Sequence, residues 1–202
     1  MRAAAWCKSL GLGLCLAAVP LAEAVDANAP AIPASAVGAG GCLATGNGFL
    51  RARIRGALSL DIDWKNADLE CDGTERPHGR GIIVSFAGPK RTGGRRLRMV
   101  FGIETGAEGV AGRALPTNLT VILEGERRLF ATRGDDHCTV DALQEEKVSS
   151  SPPGLRSYRV VARGFCTEPA GGLGRNERIL VTRFDFAGRV SYDSAVHHSS
   201  TE

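Results

Sequence analysis

Aromatic side chains, histidine and long apolar runs are all scarce in this 202-residue chain, which holds two Trp, two Tyr, seven Phe and four His. Two of those histidines, His197 and His198, stand in the last six residues. A histidine-built metal centre or a Ser–His–Asp set therefore has little to draw on. No Gly-x-Ser-x-Gly elbow is present, which removes the strand–turn–helix nucleophile of many hydrolases. Gly171-Gly172-Leu173-Gly174 is followed by no Lys-Ser/Thr pair and no helical pattern, so it is not a phosphate loop. An excess of one charge is missing too: the formal net charge is +3. No nucleic-acid partner is expected from so even a balance.

The longest apolar run, Leu10 to Leu21, falls short of the roughly 20 residues that cross a bilayer as a helix. Its flanks give it a different reading. Arg2 and Lys8 precede it, and Ala22-Glu23-Ala24 follows. A basic start, a short apolar stretch and a small-x-small end are the three parts of a secretory signal peptide, here residues 1–24. Lipid attachment at Cys15 is disfavoured, because Leu14 precedes it and the apolar run continues beyond it. Residues 25–41 are Ala, Pro and Gly with little else, a linker too poor in large apolar side chains to pack. Residues 42–192 are the expected folded domain, and 193–202 a polar tail. The expected localisation is exported, periplasmic or secreted.

Cysteine use agrees. Cys7 and Cys15 lie in the signal, leaving Cys42, Cys71, Cys138 and Cys166. An even number in an oxidising compartment reads as two disulfides. No pair has the two-to-four-residue spacing of a zinc knuckle, and no thiol is left over as a nucleophile. Four cysteines allow three pairings. Consecutive elements usually neighbour each other in space, so Cys42–Cys71 and Cys138–Cys166 are the expected bonds.

Period-2 alternation dominates the domain. Leu50, Ala52, Ile54, Leu58, Leu60, Ile62 and Trp64 share one parity, against Arg51, Arg53, Arg55, Ser59, Asp61 and Asp63 on the other. This predicts one long strand, bent near Gly56, with a dry and a wet face. Ile82/Val84/Phe86 and Leu97/Met99/Phe101/Ile103 flank a Gly-rich loop and predict a hairpin. Leu119/Val121/Leu123 and Arg128–Thr132 predict a second hairpin. Tyr158/Val160/Ala162 and Leu180/Thr182/Phe184/Phe186 predict two more strands, with a short strand around Val140 or, over Asp141–Val148, a helical turn. About eight short strands and no long helix point to an all-β, antiparallel β-sandwich with two disulfides. A sandwich is preferred to a closed barrel because the strand lengths are uneven.

Three polar groups are candidates for a site. Lys90, Arg91, Arg95, Arg96 and Arg98 cluster on the first hairpin and offer a contact surface to an anionic partner. The competing reading is charge placed to discourage edge pairing. Asp135, Asp136 and His137 supply oxygen and imidazole for a metal or a general base. Successive strand residues point to opposite faces, however, so a solvated turn is the preferred reading and no metal or cofactor is expected. His78 or Asp61 would strengthen this cluster if it converged there. Asp61 and Asp63 share a face without a calcium-loop spacing, and are expected to meet arginines on a neighbouring strand.

The resulting expectation is an exported, non-catalytic binding or interaction domain of the cell envelope, with an anionic envelope component or another protein as partner. The alternative is a metal-dependent or hydrolytic enzyme built on Asp135, Asp136 and His137. A subunit completed by strand exchange would need a groove missing one strand. Mass spectrometry of the exported protein should find Val25 at its N-terminus; retention of residues 1–24, or an acylated Cys15, would refute the signal-peptide reading.

Overall fold

The computed structural model describes residues 41–77, 80–148, 151 and 154–193. The signal and linker expectations, His78, His197 and His198 lie outside them. The described chain forms eleven strands: β1 (Phe49–Gly56), β2 (Leu60–Lys65), β3 (Glu70–Glu75), β4 (Ile82–Ala87), β5 (Arg96–Ile103), β6 (Gly112–Glu124), β7 (Arg128–Ala131), β8 (Cys138–Lys147), β9 (Leu155–Cys166), β10 (Ala170–Gly172) and β11 (Arg178–Asp193). The fold is all-β and almost wholly antiparallel, as expected, with eleven strands in place of about eight.

The pairings run β3–β4–β5–β6–β8–β9–β11, and β11 returns to β3 through a parallel bridge, Ser191 opposite Thr74. The single sheet thereby closes on itself. The hairpin β1–β2 is added to β11 through β1, and the short strands β7 and β10 link β6 to β11 a second time. Across the interior, Phe86 of β4 and Phe101 of β5 meet Phe184 and Phe186 of β11. Ring centroids are 4.9 Å apart for Phe86–Phe186 and 4.8 Å for Phe101–Phe184. All four rings are fully buried. They come from the alternating positions of their strands, because a strand buries every second residue when one face is dry.

Four expectations change or are decided. Leu50–Trp64 is not one bent strand: β1 and β2 are an antiparallel hairpin, with Leu50 opposite Trp64 and Ile54 opposite Leu60. Gly56, at φ 113°, ends β1 where its backbone passes close to the Arg178 carbonyl, a conformation and an approach that suit a residue without Cβ. In β11, Ile179 and Val181 are buried, then Phe184 and Phe186. A bulge at Thr182 switches the parity, since Arg53 faces Arg183 while Ile54 faces Val181. Thr182 is therefore exposed. Cys138–Lys147 is a strand throughout, not a helical turn, and Asp193, expected in the tail, is the last residue of β11.

Both disulfides form as expected, Cys42–Cys71 and Cys138–Cys166. The second joins directly opposed residues of β8 and β9. The first ties the segment entering β1 to β3. Two disulfides mark an oxidising, exported environment, and no helix among the described residues is long and apolar enough to cross a membrane. Replacing Cys138 and Cys166 together by Ala should lower stability by about 3–4 kcal/mol, given the loop that the bond closes. Urea unfolding of the oxidised protein and the double variant measures it; a loss under about 1 kcal/mol would show that β8–β9 pairing alone holds this region.

Candidate functional site

The loop joining β4 to β5 carries the basic cluster, and its five cations divide into two kinds. Arg96 and Arg98 lie on β5 and are taken up by acids from neighbouring strands. Arg96 pairs with Glu124 of β6 and, at 2.6 Å, with Glu70 of β3; Arg98 donates to Glu124 at 2.6 Å. The Arg96 and Arg98 guanidinium groups hold the Glu124 carboxyl below its ordinary range. Arg95 faces Glu126 at a looser 3.7 Å. Lys90 and Arg91, on the arm of the loop that leaves β4, are exposed, and among the described residues neither forms an ion pair. The sequence shows five cations in nine positions; the fold leaves two of them open, because the neutralising acids come from β3 and β6.

Beside this loop lies a groove of about 330 Å³, which the sequence does not reveal. Leu58, Leu60, Ile62 and Trp64 of the β1–β2 hairpin line it, with Pro89, Leu97 and Leu123 opposite and Arg91, Arg95, Arg96, Arg128, Asp61 and Glu126 around it. Leu58, Leu60, Trp64, Leu97 and Leu123 are all half-buried. The Trp64 ring closes onto the backbone at Gly88, where any Cβ would collide with it. Alternation alone assigns the four hairpin residues to a dry face. It carries no information on how far that face is covered.

The Asp135–His137 segment does not gather into one set. Asp135 accepts from Arg76 at 3.3 Å and from Asn118. Burial pushes its carboxyl up, but the Asn118 and Arg76 hydrogen bonds outweigh this and hold it below the ordinary carboxylate range. Asp136 is exposed, with a carboxylate oxygen 3.6 Å from His137 Nε2, and Glu168 lies 3.5 Å from Nδ1. Among the described residues no three His, Cys, Asp or Glu side chains come together as a metal site. Asp61 is far along the chain in β2 and is held by Arg55 and Arg53 instead.

Asp61 and Asp63 do meet arginines across the sheet. Arg51 lies 3.2 Å from Asp63 and 3.7 Å from Asp185, and Arg53 lies 3.3 Å from Asp61. Acid and base thus alternate across β2, β1 and β11 on the wet face. The same face continues to a shallow polar depression of about 470 Å³ lined by Asp141, Arg163, Thr182, Arg183 and Asp185, between the bulges of β8 and β11.

Glu145 on β8 carries no signal in the sequence, and its carboxyl is shifted upward in the fold. It accepts from the Tyr192 hydroxyl at 3.2 Å and from the Gly109 N–H at 2.9 Å. Tyr192 is buried and stacks edge-on against Tyr158. Burial raises the Glu145 pKa above its ordinary 4.5, against the pull of those hydrogen bonds. A carboxyl with a raised folded-state pKa contributes stability that is full below the unfolded value and lost as pH rises through the folded one. Glu145→Gln removes that loss. The Tm of the variant relative to the native chain should therefore increase from pH 4 to pH 7 in thermal unfolding, and a difference independent of pH would overturn the assignment.

Set against protein-family models, curated proteins and solved structures, the chain matches none of them.

Proposed function

We propose that this chain is an exported, non-catalytic binding domain of the cell envelope, periplasmic or secreted, whose contact surface is the β4–β5 loop. The observation that carries the reading is the pair Lys90 and Arg91, two exposed cations that form no ion pair among the described residues, in a loop that borders a concave groove; Lys90 acts on Glu70 only at longer range. Arg51, Arg53, Arg96, Arg98, Arg128 and Arg156 are answered by carboxylates. Other exposed arginines, Arg113, Arg127 and Arg133 among them, also form no ion pair among the described residues, so what sets Arg91 apart is its place on the rim of the groove. An unanswered cation on a projecting loop attracts negative charge at a distance and contributes most to association with an anionic partner. A chain with evenly matched charges would gain nothing comparable from its global field. Binding residues also sit disproportionately on loops held by a rigid scaffold, and here β4 and β5 hold both ends of the loop through six directly opposed residue pairs.

Immobilised polygalacturonate, an anionic polysaccharide, is a suitable probe. Capture should be strong at about 20 mM salt and fall steeply by about 300 mM, since exposed charges are screened over about 10 Å at 0.1 M. Lys90→Glu with Arg91→Glu should weaken it at least about tenfold, equivalent to about 1.4 kcal/mol. Arg163→Glu with Arg183→Glu, on the wet sheet face, should leave it unchanged. Equal loss from both pairs would mean that net charge alone is responsible, and no loss from the first pair would remove the loop from the contact.

A further inference from the structure

We propose that the groove beside the β4–β5 loop takes a single-chain amphiphile with an anionic head. Its alkyl chain would lie on Leu58, Leu60, Trp64, Leu97 and Leu123, and its head against Arg91. The inference rests on the proposed role of the loop and names the chemistry that the adjoining groove adds to it.

The floor is apolar and incompletely covered. Ile54 and Ile62 on the same hairpin face, and Met99 and Val121 one step along β5 and β6, are buried. Leu58, Leu60, Trp64, Leu97 and Leu123 are not. Five large apolar side chains left half-covered in one concavity mark a place where an apolar group gains by entering. At about 330 Å³ the groove is at the low end of the roughly 300–1,000 Å³ of small-molecule sites. That suits one alkyl chain and is too small for two.

The rim decides the sign of the head. Its two acids are already engaged, Asp61 by Arg55 at 2.9 Å and Glu126 by Arg95 at 3.7 Å. Three of its four arginines are engaged as well: Arg95 with Glu126, Arg96 with Glu70 and Glu124, and Arg128 with Glu177. Arg91 is the rim charge left open, with Lys90 next to it in the chain. A carboxylate, sulfate or phosphate head finds a guanidinium there, whereas a cationic head finds no open carboxylate. An extended peptide added to the free edge of β2 fits less well, because the Trp64 ring is closed down on Gly88 between that strand and the loop.

Trp64 is the reporter. The other tryptophan is Trp6, so the full-length chain carrying Trp6→Phe has Trp64 alone. Its emission should shift on titration with octanoate, decanoate and dodecanoate below their micelle concentrations. Each pair of added methylenes should tighten binding about tenfold, since one buried methylene is worth about three- to fourfold, until the groove is full. Leu58→Asp, in the turn between β1 and β2, and Leu97→Asp, both at the half-buried margin of the core, should each abolish the response with an unchanged circular-dichroism spectrum. Arg91→Glu should weaken binding severalfold, and dodecyltrimethylammonium should not bind. Affinity independent of chain length, an equal response to the cationic amphiphile, or binding untouched by Leu58→Asp would each overturn the inference. So would displacement of Trp64 by an acidic peptide with no response to any alkanoate. Capture of polygalacturonate in the absence of alkanoate binding would sink this inference and leave the role of the loop standing. Alkanoate binding that follows chain length, with polygalacturonate capture untouched by the Lys90 and Arg91 reversals, would do the opposite.

Discussion

Strand β11 is the seam on which the sheet closes. A buried strand must pair its N–H and C=O groups on both sides, and sixteen residues cannot find that from one neighbour of ordinary length. β1 takes the edge from Ile179 to Ala187, β9 takes Phe184 to Asp193, β10 meets Arg178 and Ile179, and β3 touches Ser191. The neighbours are staggered, so the sheet closes on itself through β11 and leaves β2 at an edge. The bulge at Thr182 turns the phase of the strand where its partners change over. As a result Ile179 and Val181, opposite β1, and Phe184 and Phe186, opposite both β1 and β9, all face the interior. The four-ring core depends on that change of phase, since Phe101 sits against both Phe184 and Phe186.

What the sequence makes legible follows from the same physics. Alternation reports which residues face inward, and it identifies the dry faces of β4, β5 and β9 residue by residue. It is blind to chain reversal when opposed residues have an even sum. In β1–β2 the partners are Leu50 with Trp64 and Ala52 with Ile62, so parity runs through the turn unbroken and a hairpin looks like one long strand. It is equally blind to an inserted residue: Thr182 continues the parity of Phe184 in sequence and leaves it in space. The disulfides were legible because both connect stretches adjacent in the chain order of the fold. Proximity across the sheet was not, and it governs the site. Nothing local to Lys90–Arg98 announces that Glu70 and Glu124 will reach Arg96.

Along β1, β2 and β5 charge is neutralised locally. Glu124 serves two arginines from one position, which is why both can sit on β5, one residue apart from each other, without mutual repulsion dominating. Hydrogen bonding from Arg96 also holds Glu70 below its ordinary range, and the carboxyls of Asp61 and Asp63 are held low first by Arg55 and Lys65 respectively. A lowered folded-state pKa means stability that is present above the unfolded value and lost as pH falls through the folded one. Glu145 acts in the opposite sense, because burial and not an arginine sets its titration. The exposed pairs each contribute little in salt, whereas Glu145, half-buried beside Tyr192, titrates under the control of burial.

The groove is a consequence of how β11 divides its edge. β1 is paired on both sides, by β11 and by β2, whereas β2 is paired with β1 alone among the described residues. Its inward side chains must therefore be covered from below by other elements. Ile62 is covered, and Leu60 and Trp64 only in part. Fully burying such a side chain is worth about 1.5–3 kcal/mol, so partial cover leaves a gain unrealised at several adjacent positions. Trp64 recovers some of it by folding its ring onto Gly88, which only glycine permits at that separation. Residue 88 is also the last position before the loop that carries Pro89, Lys90 and Arg91. The contact that narrows the groove and the charges that border it are thus fixed by the same short piece of backbone, and a side chain at 88 would move both together.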